Sequence, residues 1–105
     1  MLKFLESLFS ILSIPNGVYK AKGQDLYFIV EGDTMTQTDR LRSYDDVFRY
    51  SISGNTCRMM RKRVIFGGEE VQHSPIQFFS GGFYLYKVRE HYDKLSEIEA
   101  AKIHN

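Results

Sequence analysis

The first thirteen residues carry a helical pattern of apolar and polar positions. On a helical wheel the polar side chains fall within an arc of about 120°, and the apolar ones fill the opposite half. The polar set is Lys3, Glu6, Ser7, Ser10 and Ser13, and the apolar set is Leu2, Phe4, Leu5, Leu8, Phe9, Ile11 and Leu12. We predict an amphipathic helix over residues 1–13 that ends at Pro15-Asn16-Gly17. It would pack on the core, form a dimer contact or lie on a membrane surface. Its polar interruptions do not suit a signal peptide.

The pattern changes after residue 17 to short apolar runs separated by Gly, Asn and Asp, which is typical of strands. The predicted strands cover residues 17–22, 25–31, 34–38, 46–53, 56–66, 69–72, 76–80 and 82–88. A turn is expected at Ser74-Pro75, between the two short strands. The connections are too short for crossover helices, so the pattern predicts a seven- or eight-stranded antiparallel meander. Such a meander forms either a curved sheet or a small barrel.

A second helix is predicted over residues 88–103. Val88, Tyr92, Leu95 and Ile98 recur at helical spacing, and Glu99 then interrupts the apolar stripe. The last turn is therefore expected to fray or to leave the body. The predicted fold class is α+β, mainly antiparallel β, with a helix at each end of a single domain that spans residues 1–105.

Composition supports one folded domain. The chain has 105 residues, of which 43% are apolar, and its formal net charge is +1. That length and apolar content suffice for a core without disulfides. One cysteine excludes an intrachain disulfide and fits a reducing compartment, so we expect a soluble cytoplasmic protein.

The charge is unevenly distributed along the chain. Residues 40–63 hold seven basic and two acidic side chains, a net of +5, so the remainder carries −4. This segment contains the candidate partner or anion patch: Arg49, Arg58, Arg61, Lys62 and Arg63. Three interpretations fit it, namely protection of an edge strand, contact with a protein or anionic ligand, and binding of single-stranded nucleic acid. Nucleic acid is the least favoured because the pattern of an RNA-recognition sheet is absent and the net charge is low.

Few residues suggest catalysis, and we predict a non-catalytic protein with no cofactor and no metal site. Cys57 and His73 are the candidates for the lesser alternative, an enzyme. Cys57 is expected to be a buried thiol, since Arg58 would point to the opposite face of a strand. Glu69, Glu70 and His73 would converge on a metal only in a helix, and the flanking Gly-Gly and Ser-Pro favour a turn.

One resemblance to a known family rests on Gly17-Val18-Tyr19 at the start of the first strand and on Arg89 after the last predicted strand. With the short N-terminal helix and the meander, they resemble the lipocalin or calycin arrangement, in which Tyr19 would replace the family's Trp and Arg89 would pack over the ring. The resemblance implies a barrel with one open end that holds an apolar or cationic small molecule. The candidate ligand-binding residues are Tyr19, Phe28, Met35, Phe48, Tyr50, Met60 and Tyr84. The same residues would equally form a core that fills the barrel.

The predicted function is therefore a small non-catalytic binding protein. The alternative is a homo-oligomeric interaction module that docks through helix 1–13 or through the basic strand at residues 58–63. Binding of single-stranded nucleic acid is the lesser alternative.

Overall fold

The computed structural model describes residues 13–62 and 67–104. The helix predicted over residues 1–13 lies outside this part of the chain, except for Ser13. The strands are β1 Gly17–Ala21, β2 Tyr27–Glu31, β3 Thr34–Thr38, β4 Asp45–Ser53, β5 Thr56–Lys62, β6 Glu69–Phe79, β7 Gly82–Leu85 and β8 Glu90–Lys94, and the helix α1 is Glu97–His104. No helix in the described part of the chain is long and apolar enough to cross a membrane.

The eight strands form a closed antiparallel barrel. Each strand pairs with the next in sequence, and β8 pairs with β1 to close the ring. The predicted meander is therefore confirmed, and its barrel form is the one adopted. Closure satisfies the edges of β1 and β8, which would be exposed in an open sheet.

The turn predicted at Ser74-Pro75 is wrong, because both residues lie inside the eleven-residue strand β6. Proline is tolerated there since its missing N–H would point away from β5, toward the end of β7. The Pro75 carbonyl accepts a hydrogen bond from Tyr86 N on that side, at 3.0 Å. The backbone of the next residue faces the opposite side of the strand, where Ile76 N donates a hydrogen bond to the carbonyl of Asn55 at 2.8 Å.

The helix predicted over residues 88–103 is correct only in its second half. Arg89 has a φ of 53°, which ends the turn after β7 and starts β8 where a helix was expected. The helix begins after Ser96, whose Oγ accepts a hydrogen bond from Glu99 N at 3.2 Å and donates one to the Glu99 carboxylate. Ser96 is therefore the N-cap of the helix, and Glu99 lies in its first turn rather than at a frayed end.

The interior of the barrel is filled by apolar side chains from all eight strands. Four aromatic rings form a continuous chain through it: Tyr19 contacts Phe83, Phe83 contacts Tyr92, and Tyr92 contacts Phe28, with centroids 4.9–5.1 Å apart. The rings are tilted or offset, as aromatic pairs prefer.

Helix α1 covers part of the outside of the barrel. Ile103 is buried against the outward residues Val18, Tyr27 and Ile29 of β1 and β2. This second apolar cluster explains the nearly unbroken apolar sequence of β2, since both of its faces are covered.

Candidate binding cleft at one end of the barrel

Two tyrosines hold the chain that precedes β1 across one end of the barrel. Tyr50 accepts a hydrogen bond from Ile14 N at 3.0 Å, and its hydroxyl lies 3.3 Å from the Ile14 carbonyl oxygen. The Tyr19 hydroxyl donates to the Pro15 carbonyl at 2.7 Å. Burial raises the pKa of both hydroxyls, so both stay protonated and keep these bonds at neutral pH.

A cleft of about 330 Å³ lies between this segment and the β6–β7 hairpin. Its walls are mostly apolar and carry four aromatic rings, those of Tyr19, Phe78, Phe79 and Phe83, of which Phe79 is 44% exposed. The other lining residues are Ile14, Pro15, Gly81, Gly82 and Lys94. An apolar cleft of this size with one charged group is typical of small-molecule sites.

Two glycines allow close packing around the cleft: Gly82 lines it, and Gly17 lies beneath Lys94. A side chain at Gly82 would place its Cβ 2.2 Å from the Tyr92 carbonyl oxygen, so only glycine lets β7 approach β8 this closely. A Cβ at Gly17 would meet the Lys94 side chain at 2.7 Å, so the aliphatic part of Lys94 packs over the bare backbone of Gly17.

Lys94 supplies the charge of the cleft. Its side chain is exposed at the end of β8, and no carboxylate within the described residues forms an ion pair with it. A cation with an apolar wall beside it favours a ligand that is apolar over most of its length and anionic at one end.

The structure places five of the seven predicted ligand-binding residues inside the barrel. They are buried and pack against one another: Tyr19, Phe28, Met35, Phe48 and Tyr50. Of these, Tyr19 lines the cleft.

The expected inward orientation of Met60 and Tyr84 is wrong. Met60 pairs with Arg49, and Tyr84 pairs with His91, whereas the neighbouring residues Met59 and Phe83 enter the core. Side chains alternate along a strand, so Met60 and Tyr84 face outward.

The basic patch is divided between the two faces of the sheet. Arg49, Arg58 and Lys62 lie on the outside, where Arg49 pairs with Asp33 at 3.1 Å and joins Met60 and Val47 in a shallow groove of about 400 Å³. No ion pair joins Arg58 or Lys62 to a described residue. Arg63 lies outside the described residues.

Arg61 lies on the inner face, at the barrel end opposite the cleft. Its guanidinium is 2.8 Å from the Glu70 carboxylate and 3.3 Å from that of Asp46, and it lies 5.2 Å above the centre of the Phe48 ring. Hydrogen bonding to Glu70 raises the pKa of Arg61 further. The charge of Arg61 is therefore compensated by these carboxylates, and Arg61 is not available to bind an anionic ligand.

This geometry argues against two of the interpretations of the basic strand. Protection of an edge strand is wrong for β5, because β5 pairs with β4 on one side and β6 on the other. Stacking of bases lacks a platform, since the outer positions of β4, β5 and residues 69–75 carry no Tyr or Phe.

The candidate catalytic residues Cys57 and His73 lie on neighbouring strands but on opposite faces of the sheet. Cys57 is fully buried, and burial raises the pKa of its thiol to about 12, so it is a thiol at neutral pH. His73 is exposed on the outer face of β6, and Glu70 points to the inner face. No group of His, Cys, Asp or Glu among the described residues has the geometry of a metal site.

The residues that carry the family resemblance are not in contact as the family pattern implies. Tyr19 packs on Phe83, and Arg89 lies exposed in the turn between β7 and β8, before the last strand rather than after it. Comparisons of the chain with family models, curated proteins and solved structures found no match. The lipocalin resemblance therefore stays a prediction.

Sequence reasoning missed Phe79, Phe83 and Lys94 as lining residues. Lys94 fell within the predicted helix, which concealed its place at a barrel end. Gly81, in the turn beside the cleft, and Gly82, at the start of β7, were the signal that could have located it.

Proposed function

We propose that the protein is a non-catalytic binding protein whose ligand is a small apolar molecule with one anionic group, held in the cleft at the end of the barrel. The observation that carries this proposal is the position of Lys94 beside the apolar wall formed by Tyr19, Phe79 and Phe83.

The location follows from the packing of the barrel. The chain of four rings occupies the interior from Tyr19 to Phe28, so a ligand enters at the barrel end rather than deep inside. The sign of the ligand's charge follows from Lys94. Among the apolar or cationic ligands that the resemblance implied, cationic ones would be repelled, whereas a carboxylate or sulfonate would gain an ion pair.

The test uses three probes that share one alkyl chain, namely octanoate, octanol and octylamine, titrated into the full-length protein by calorimetry. An ion pair at an exposed rim contributes about 0.5–1 kcal/mol, so octanoate should bind about two- to fivefold more tightly than octanol. Octylamine should bind more weakly than octanol. Chemical-shift changes in a ¹⁵N spectrum should centre on residues 79–83 and on Lys94.

Two variants separate the charge from the apolar wall. Lys94→Gln should reduce octanoate affinity to that of octanol, and Phe79→Ala should weaken both probes. The matched control is Lys87→Gln, which removes an exposed lysine from the turn after β7, at the other end of the barrel. Equal binding of octanoate and octylamine, or shift changes away from the cleft, would overturn the proposal.

A further inference from the structure

The first half of β6 has a strand on one side only. Residues 69–75 pair with β5, and residues 76–79 pair with β7, which ends at Leu85 and turns away toward β8. Along Glu69–His73, no described strand occupies the side opposite β5. This segment, residues 69–73, is called here the open edge.

Hydrogen bonds at the end of β6 show which backbone groups face this edge. Ile76 N donates toward β5, and the Pro75 carbonyl accepts a bond from the β7 side. In an antiparallel ladder these directions alternate from one residue to the next. The backbone N–H and C=O of Glu69, Val71 and His73 therefore all point to the open edge.

The sequence of the open edge is complementary to itself. Read about Val71, it places Glu69 opposite His73 and Glu70 opposite Gln72 when two copies run antiparallel. The Glu69 carboxylate then meets an imidazole that can donate a hydrogen bond. Glu70 and Gln72 keep the 2.9 Å hydrogen bond that joins them within one chain, and Glu70 keeps its ion pair with Arg61. A register shifted by one residue toward the hairpin tip would place Glu70 opposite its own copy, which like-charge repulsion disfavours.

We propose that the open edge pairs with the same edge of a second copy of this chain, forming a two-fold symmetric dimer whose sheet runs continuously from one barrel to the other. Six backbone hydrogen bonds would form, two in each of the pairs Val71–Val71, Glu69–His73 and His73–Glu69.

Two further features suit a second copy, one within the open edge and one in the residues just before it. Val71 is 39% exposed beside the outward Met60, so the symmetric contact buries apolar surface that the monomer leaves in water. In this register Gly67 and Gly68 lie beside the partner's strand near Pro75, where the absence of side chains leaves room for the turn after β7. This inference does not rest on the proposed ligand site, which lies at the other end of the barrel.

The first test is the mass of the full-length protein in sedimentation at a series of concentrations, for the native chain and for Val71→Pro. Because the Val71 N–H points away from β5, proline removes bonds between the copies but none within the barrel. The variant should keep its circular dichroism and should weaken dimerisation by about tenfold or more. A native chain that stays monomeric at high micromolar concentration overturns the proposal, as does a dimer that Val71→Pro leaves intact.

Charge exchange provides a second test that does not depend on proline. His73→Glu would place two carboxylates opposite each other at two places in the dimer, which should weaken association about fivefold. Adding Glu69→Lys to it restores opposite charges and should recover the native affinity. Loss without recovery, in a double variant that remains folded, would argue against the register.

A cysteine introduced at the centre of symmetry reports the register directly. Val71→Cys should form a disulfide-linked dimer under mild oxidation, because the two Cα atoms would lie about 5.5 Å apart, within the range that a disulfide spans. Ser51→Cys, exposed on the outer face of β4, is the matched control and should form no disulfide-linked dimer. Equal crosslinking of the two variants contradicts the proposal.

Discussion

The positive charge of Arg61 is compensated by two neighbouring carboxylates. Its guanidinium forms ion pairs with both Asp46 and Glu70 and lies over the ring of Phe48. It therefore covers one end of the barrel and is not available to bind another molecule. Arg58, two residues earlier, points to the opposite face and is exposed. Alternation along a single strand thus separates a structural arginine from one that remains accessible.

This difference predicts unequal costs of removal. Arg61→Gln should lower the free energy of unfolding by about 1 kcal/mol, because it breaks two partly exposed ion pairs and a ring contact. Arg58→Gln is the matched control and should change stability by less than about 0.5 kcal/mol. Urea unfolding measures both, and high salt should shrink the Arg61 effect. Equal costs would contradict the role given to Arg61.

At the scale of elements, Ser96 caps the N-terminus of α1 and so fixes where the helix begins. Its hydroxyl accepts a hydrogen bond from Glu99 N in the first turn and donates one to the Glu99 carboxylate, and Ile103 then reaches the outer faces of β1 and β2. Ser96→Ala should cost about 1 kcal/mol of stability, since the first turn loses its cap. Ser51→Ala, on an exposed strand position, is the control and should have little effect. Urea unfolding and amide exchange within residues 97–103 are the measurements, and unchanged exchange would contradict the cap.

The sequence predicted elements well where one face is buried and one is solvated. In β4 the alternation of Phe48, Tyr50 and Ile52 with polar residues predicted the strand and its inward face, and β3 was predicted with its observed bounds. The prediction failed at β6 and β8, where distant partners determine the structure. Pro75 is compatible with a strand only because β7 ends beside it, and residues 90–94 are a strand only because β1 and β7 flank them.

At the scale of the whole molecule, the candidate cleft exists only because the barrel closes. Its walls come from the chain before β1, the hairpin between β6 and β7, and the end of β8, which lie far apart in sequence. Neither the spacing of residues in the sequence nor the composition predicts that Tyr19 lies close to Phe83 and Lys94. The buried tyrosines were predictable from alternation, but their contact with Ile14 and Pro15 was not, because it depends on closure between β8 and β1.

Closure also determines how the molecule responds to alkali. Burial raises the pKa values of Tyr19, Tyr50 and Tyr92, and it raises that of Cys57 from 9.0 to about 12. The folded state therefore keeps protons that the unfolded state releases, so rising pH favours the unfolded state. From neutral pH up to about pH 9 these groups leave stability unchanged, and above it stability should fall, by up to about 1.4 kcal/mol per pH unit for each such group.

Urea unfolding at increasing pH measures this decline, and Cys57→Ala isolates one contribution to it. The variant starts from a lower stability because the substitution leaves a small cavity. Above pH 9 its stability should fall less steeply with pH, because one titrating group has been removed. A slope identical to that of the native chain would show that Cys57 ionises equally in both states. A stability that stays flat into strong alkali would mean that the tyrosine hydroxyls also ionise in the folded barrel, which their burial opposes.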